Sequence, residues 1–385
     1  MGGSIRLVKT LLLLLLCLAA PPVFALGDEE VSYYEALGLP SPTPPGAAQA
    51  TQAPAPAPTP VCEADGSILL TLSFAGDVTL GRNGKATNSI FAAELKRQDG
   101  DMNFPFRNVK ELFLADDLTL VNFEGTLTHR TQWPANKAEN AFLFRADPQW
   151  AGILLPNGIE AVSLENNHAL DYGRAGLQET KESLAAAGVS YAAQGEPAFY
   201  EAKGVTLALL AYQTFNGRYP QIYKRLPGDI AAARERAQLV IVSYHWGGEY
   251  QYLPNDKQVE LGRFTIDSGA DLVVGHHSHV VNPIEYYNGR YICYSLGNFS
   301  FAGNLRPSDM STYIFQTRFR LRESVLAPEG FRIIPCRISS RTDRNDFAPT
   351  PYDRQQHIDS LLTVLEKNGS ALGYHVPDYP LAFAP

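Results

Sequence analysis

Carboxylates, carboxamides and imidazoles recur in this chain at the ends of apolar runs. Asp77 closes SILLTLSFAGD, Asn122 and Glu124 close LTLVNFEG, and Asn166, Asn167 and His168 follow AVSLE. His245 ends LVIVSYH, and His276-His277-Ser278-His279 ends the run that starts at DLVVG. Five of the eight histidines fall at such ends. Core histidines would be scattered among apolar neighbours, whereas these stand beside carboxylates and carboxamides. Oxygens of Asp, Glu and Asn together with imidazole nitrogens form a hard-to-borderline donor set, suited to Mn, Fe, Zn or Mg. The chemistry such a set serves is metal-assisted hydrolysis or group transfer. A hydrogen-bonded polar rim without an ion would use the same residue types. The Gly-His-His-Ser-His context and the matching strand ends favour the ion. His277 and His279 lie two apart on an extended segment and need a local kink to face one centre, for which Gly275 supplies the freedom.

The apolar runs themselves read as strands at 67–77, 118–125, 161–166, 205–212, 239–247 and 271–279. Helical stretches lie between several of them, at 89–98, 107–117, 174–187 and 256–268. Alternating units with near-continuous apolar strands predict an α/β core. Sites in such sheets form outside the carboxyl ends of the strands, where these polar residues collect. Beyond 279 the pattern changes. Asn288-Gly289 between two strand-like runs predicts a hairpin, and strands follow at 311–322 and 331–339. A last helix is expected at 353–367, with Ile358, Leu361, Leu362 and Leu365 as an apolar face that packs back on the body.

The 385 residues include 32 Lys+Arg against 40 Asp+Glu, a formal charge of -8. Such a chain, without basic runs, lacks the electrostatic footprint of a nucleic-acid binder. The four cysteines form neither a zinc array nor a C-x-x-C pair. Arg6 and Lys9, an apolar stretch and Val23-Phe24-Ala25 form a secretory signal over 1–25, either cleaved after Ala25 or kept as an anchor. Residues 26–65 read as an arm and a Pro/Ala-rich spacer running from Pro40 to Pro60. The domain proper is expected at 66–345 and a C-terminal extension at 346–385. After cleavage Cys62, Cys293 and Cys336 remain; Cys293 reads as a buried thiol, and a Cys62–Cys336 bridge would tie the domain start to its last strand.

FAGDV (74–78), VNFEG (121–125), SLENNHALDYG (163–173), VSYHWGGEY (242–250), VVGHHSHV (273–280) and YSLGNF (294–299) stand in one order. In this they resemble the capsule-synthesis CapA family, the poly-γ-glutamate synthesis proteins also called PgsA. The resemblance covers about 66–340. That family is in turn similar to the calcineurin-like metallophosphoesterases, which implies a two-sheet sandwich flanked by helices, a four-layer αββα architecture. It also implies metal ligands at Asp77, Glu124 as the bridging carboxylate, Asn167, His245, His277 and His279. His168 would assist the reaction without coordinating, while Asp171 and Glu249 would orient a histidine by accepting its other N–H. His168 and Asp171 are thus the expected catalytic pair.

Thr79 departs from the family pattern, because a histidine ligand is expected there. The cofactor is therefore one or two divalent ions, Mn, Fe or Zn, with His276 a candidate to compensate. Further substrate or supporting positions are Arg82, Asn122, Asn166, Trp246 and Asn298. Arg82 would meet an anionic group or form a salt bridge, and Trp246, Tyr250 and Tyr252 would line a groove or serve packing. The resemblance implies an extracytoplasmic protein, secreted or held at the cell surface through its N-terminus. Its partner would be an anionic extracellular polymer such as poly-γ-glutamate, cleaved or transferred at an amide or phosphoester bond. The alternative is a non-catalytic accessory subunit that guides the polymer beside membrane-embedded synthase subunits.

Overall fold

Two mixed sheets pack face to face, each covered on its outer face by helices and loops. A computed structural model describes residues 62–84, 89–132, 137, 141–323 and 325–384. The expected signal, the arm and the whole Pro40–Pro60 spacer lie outside the described residues. The first sheet is built around Ile68–Thr79. That strand pairs parallel with Leu118–Phe123, which pairs parallel with Ala161–Ser163, and antiparallel with Ser311–Arg322. In the second sheet Val205–Gln213, Leu239–His245 and Leu272–His276 run parallel. The hairpin Ile284–Tyr287/Arg290–Cys293, which turns at Asn288 and Gly289 with both at positive φ, joins the edge by pairing Arg290–Cys293 parallel with Leu272–His276.

The strands are apolar on both faces because both faces are covered. Leu207, Leu209 and Ala211 point between the sheets, where they meet Leu70, Leu72, Phe74 and Phe315. The alternate residues Ala208, Leu210 and Tyr212 point outward to Ile222, Leu226 and Ile230 of helix Tyr219–Arg234. On the far side Val78, Val121 and Phe123 pack against Phe91 of helix Ile90–Arg97 and against Phe104, Phe106 and Phe113. This is the four-layer αββα sandwich that the family resemblance implies.

Several elements differ from expectation. Helix 107–117 contracts to Lys110–Phe113, preceded by a run of turns. Tyr219–Arg234 is helical although Pro227 stands inside it; burial of Ile222, Leu226, Ile230 and Ala233 outweighs the lost backbone bond. Strand Val325–Arg337 begins earlier than expected and pairs along most of Ser311–Arg322. A small third sheet joins Arg82–Asn83, Phe144–Ala146 and Thr126–Leu127. Helix Gln355–Gly369 sets Leu361 and Leu365 into the inter-sheet core. Cys62 is exposed, Cys336 is buried and both are free, so the Cys62–Cys336 bridge is not formed. Among the described residues no helix is long and apolar enough to cross a membrane.

Candidate metal centre

The carboxyl ends of strands from both sheets meet at one place. Asp77 stands opposite Asn122 on one side and Asn298 on the other. The register slips on both sides of it, between Ala75 and Asp77 and between Asp77 and Thr79. Such bulges re-aim a side chain out of the regular alternation. In the second sheet His245 stands opposite His276. The return strand Asn298–Phe301 pairs parallel with the end of Ile68–Thr79, so the chain leaving the second sheet flanks Asp77 on the side opposite Asn122.

Asp77, Glu124 and His279 offer ligand atoms that all lie within 4.8 Å of one another, a candidate metal-binding triad. Asp77 Oδ1 accepts from Asn122 Nδ2 at 2.8 Å. Asp77 Oδ2 lies 3.3 Å from His279 Nδ1 without an aligned hydrogen bond, and neither oxygen of Glu124 has a donor. Both carboxylates are fully buried. Buried charge without a partner costs several kcal/mol, and three such oxygens facing one space fit a divalent cation. With imidazole beside them, the donor set matches Mn, Fe or Zn.

A second convergence centres on His245 Nε2. Asn167 Oδ1 lies 2.9 Å from it, His277 Nδ1 3.0 Å and Glu124 Oε1 3.8 Å. Glu124 is therefore shared between the two groups. Burial holds His245 well below the usual imidazole range, and the neighbouring His277 and His276 add to the effect. Burial also lowers His276 and His277 to about 4. All three are neutral near pH 7, the form that ligates. Burial raises Glu124 to about 7, assisted by the Asp77 carboxylate. It opposes the charged form of His279, but Glu124 and Asp77 overrule it and push that ring up to about 10.

His168 stands at the edge of this centre. Its Nδ1 lies 2.7 Å from Asp171 Oδ2, and its Nε2 lies 3.7 Å from Glu124 Oε1. Asp171 also accepts from Lys137 Nζ and from the Phe144 backbone N–H, each at 2.7 Å. The Phe144 ring packs on the imidazole with centroids 4.3 Å apart. With Nδ1 held by a carboxylate, Nε2 is the nitrogen left to exchange a proton on the site side.

The kink in the H-x-H segment is not where the sequence suggests. His277 and His279 themselves adopt φ of 98° and 56°. Gly275 has ordinary φ and is needed for space, since a Cβ there would come within 2.1 Å of Tyr294 O and 2.4 Å of Trp246 Nε1. Asn298 grips the strained turn at two points, with Oδ1 2.9 Å from His279 Nδ1 and Nδ2 donating to His279 O at 3.3 Å. Gly297, at φ 76°, makes the tight turn before it.

Other expected positions separate. Asn122 and Asn166 are buried and bond within the protein. Asn122 reaches Asp77 and His245, and Asn166 donates to Phe123 O at 2.8 Å and caps the His168 N–H at 3.0 Å. Trp246 lines no groove. It is fully buried, stacked on Tyr244 at 4.6 Å with its Nε1 donating to Tyr294 O. Glu249 is exposed and reaches His279 only as a distant charge, so it accepts no histidine N–H. Arg82 pairs across the small sheet with Arg145 and lines a separate cleft of about 240 Å³ with His129 and Trp150. Tyr250 and Tyr252 are exposed; the Tyr250 ring lies 6.4 Å from the His279 ring, and the Tyr252 hydroxyl donates to Asp309 Oδ2 at 2.7 Å.

Sequence reasoning missed Lys137, Phe144, Phe215 and Phe301. Phe215 packs edge-on against His277 at 4.5 Å, and Phe301 lies 5.1 Å from His279. Phe215 follows the end of Val205–Gln213, so the strand-end rule could have found it. Lys137 and Phe144 lie in an aperiodic stretch that gives no such signal.

Residues 71–302 match the family model described as bacterial capsule synthesis protein PGA_cap. The PGA biosynthesis protein CapA of Bacillus subtilis (strain 168) is 33% identical over 252 residues, 60% of this chain and 63% of that protein. The capsule biosynthesis protein CapA of Bacillus anthracis is 28% identical over 272 residues, 65% of this chain and 64% of that one. The chain thus spans under two thirds of the length of these relatives. The calcineurin-like phosphoesterase YfkN of Bacillus subtilis superposes on 78% of this chain and 99% of its own, with 13% identity and a TM-score of 0.41. A likeness of that size bears on neither activity nor substrate.

Proposed function

The chain belongs to the bacterial capsule synthesis family PGA_cap, and on that premise we propose that it acts outside the cytoplasm on an anionic capsular polymer such as poly-γ-glutamate, by metal-assisted hydrolysis or transfer. The observation that carries this reading is Glu124, buried between two groups of ligand-type atoms with no donor on either oxygen. Asp77, Glu124 and His279 would hold one ion, and Asn167, His245 and His277, with Glu124 shared, a second. A divalent ion bound there lowers the pKa of water and polarises the bond under attack. His168 serves as the general acid. Asp171 fixes its Nδ1, and Nε2 delivers a proton to the leaving amine or alcohol. Residues 1–25 carry the chain across the membrane, cleaved or kept as an anchor, and membrane-embedded synthase subunits are its partners alongside the polymer.

The test incubates the manganese-loaded full chain with γ-linked glutamate oligomers and with phosphoesters. New amine termini, absent with His168→Ala at unchanged metal content, are the expected result. A second reading, a polymer-guiding accessory subunit, is favoured by Thr79, which brings no nitrogen to the site. Full metal occupancy with no turnover of either substrate class would select it.

A further inference from the structure

His276 is 1% exposed, and neither of its ring nitrogens has a hydrogen-bond partner. A buried imidazole with two unsatisfied polar atoms is a cost that native structures rarely leave uncompensated. Its Nδ1 lies 3.6 Å from Asp77 Oδ1, too far for a hydrogen bond. Two donor atoms about 2.1 Å from one shared ion, in tetrahedral arrangement, sit about 3.4 Å apart. The contact between Asp77 Oδ2 and His279 Nδ1, at 3.3 Å, has the same spacing.

Thr79 cannot supply the missing donor. It is buried at the end of its strand, and its hydroxyl donates to the Glu124 backbone carbonyl at 2.9 Å. That bond fixes the backbone that carries Glu124, so the threonine positions one ligand without being one.

We propose that His276 supplies a nitrogen ligand to the ion held by Asp77, Glu124 and His279, in the place that Thr79 leaves without one. The inference rests on the metal reading above and adds to it a donor from the neighbouring strand of the second sheet. His276 would tie the ion to Leu272–His276, while Asp77 ties it to Ile68–Thr79, so the ion would link the two sheets.

The experiment strips the full chain with chelator and titrates it with Co(II), following visible absorption and metal content after desalting. Wild type is expected to take two ions. His276→Gln should keep one and bind the other more than about 100-fold more weakly, since even residues that only support a ligand cost about 10–100-fold. Melting of the stripped variant checks that it folds. Independently of any variant, crystals of Mn(II)-soaked wild type should show an anomalous peak within about 2.5 Å of a His276 ring nitrogen. Unchanged binding by a folded His276→Gln, or a peak at Asp77 and Glu124 away from His276, would overturn the proposal and leave the metal reading intact. A wild type that takes up no Co(II) would overturn both.

Discussion

His168 Nδ1 and Asp171 Oδ2 lie 2.7 Å apart, and the same carboxylate is held by Lys137 and by the Phe144 backbone. The imidazole is therefore fixed by a group that is itself fixed twice, with Nε2 on the Glu124 side. Replacing His168 by Ala should lower kcat by about 10²–10⁴-fold, with metal content unchanged. Asp171→Asn should act in the same direction, because an amide can present a donor to Nδ1 and reverse the tautomer. Steady-state kinetics beside elemental analysis separate the two effects; metal loss in His168→Ala would instead make that residue a ligand.

Asn298 holds both the ring and the carbonyl of His279, whose backbone is in a left-handed conformation. Asn298→Ala should weaken Mn(II) binding by about 10–100-fold. Competition against a chelator of known affinity measures it, and an unchanged Kd would show that the turn holds its shape without the amide.

Asp116 lies in the Asp116–Asp117 turn before strand Leu118–Phe123, away from the centre. Burial pushes it up to about 7, with the Glu160 and Asp117 carboxylates adding to the effect against hydrogen bonds from Ser73 and Thr119. Its folded value thus lies above the ordinary 3.8. The folded state binds the extra proton, so the stability Asp116 contributes is complete below the ordinary value and is lost as pH rises through about 7. Asp116→Asn, which mimics the protonated form, should raise Tm at pH 8 by about 2 °C or more and change it little at pH 4. Thermal melts at the two pH values check the sign.

Gly275 leaves no room for a methyl group between Tyr294 O and the Trp246 indole. Gly275→Ala should cost about 3 kcal/mol of stability, read from denaturant midpoints. It should also displace His276 and His277, and so weaken metal binding together with the fold.

Much of this centre was legible in the sequence because strand ends are. Asp77, Glu124, Asn167, His245, His277 and His279 each follow an apolar run, and parallel strands bring such ends together. The same pattern predicted an α/β core, whereas the division into two sheets with helical layers was implied by the family resemblance. It failed where the signal was weak or borrowed. Pro227 hid a helix that tertiary burial enforces, and the two- and three-residue strands of the small sheet carry no period. Gly275 looked like a hinge and is a spacer, because a glycine in a sequence does not reveal whether freedom or room is required. From sequence Trp246 is open between groove and packing, because the stack with Tyr244 and Tyr294 that makes it packing forms only once two segments meet. Thr79 showed where a ligand was missing, yet its bond to the Glu124 carbonyl joins residues 45 positions apart and has no local signature.

The most direct measurement is the metal content of the purified full chain, by elemental analysis after incubation with Mn(II), Fe(II) or Zn(II) in turn. The account predicts two equivalents of at least one of these ions, with Asn167→Ala and His277→Ala each losing one. No bound ion under any of the three conditions, in a chain shown to be folded, would contradict it.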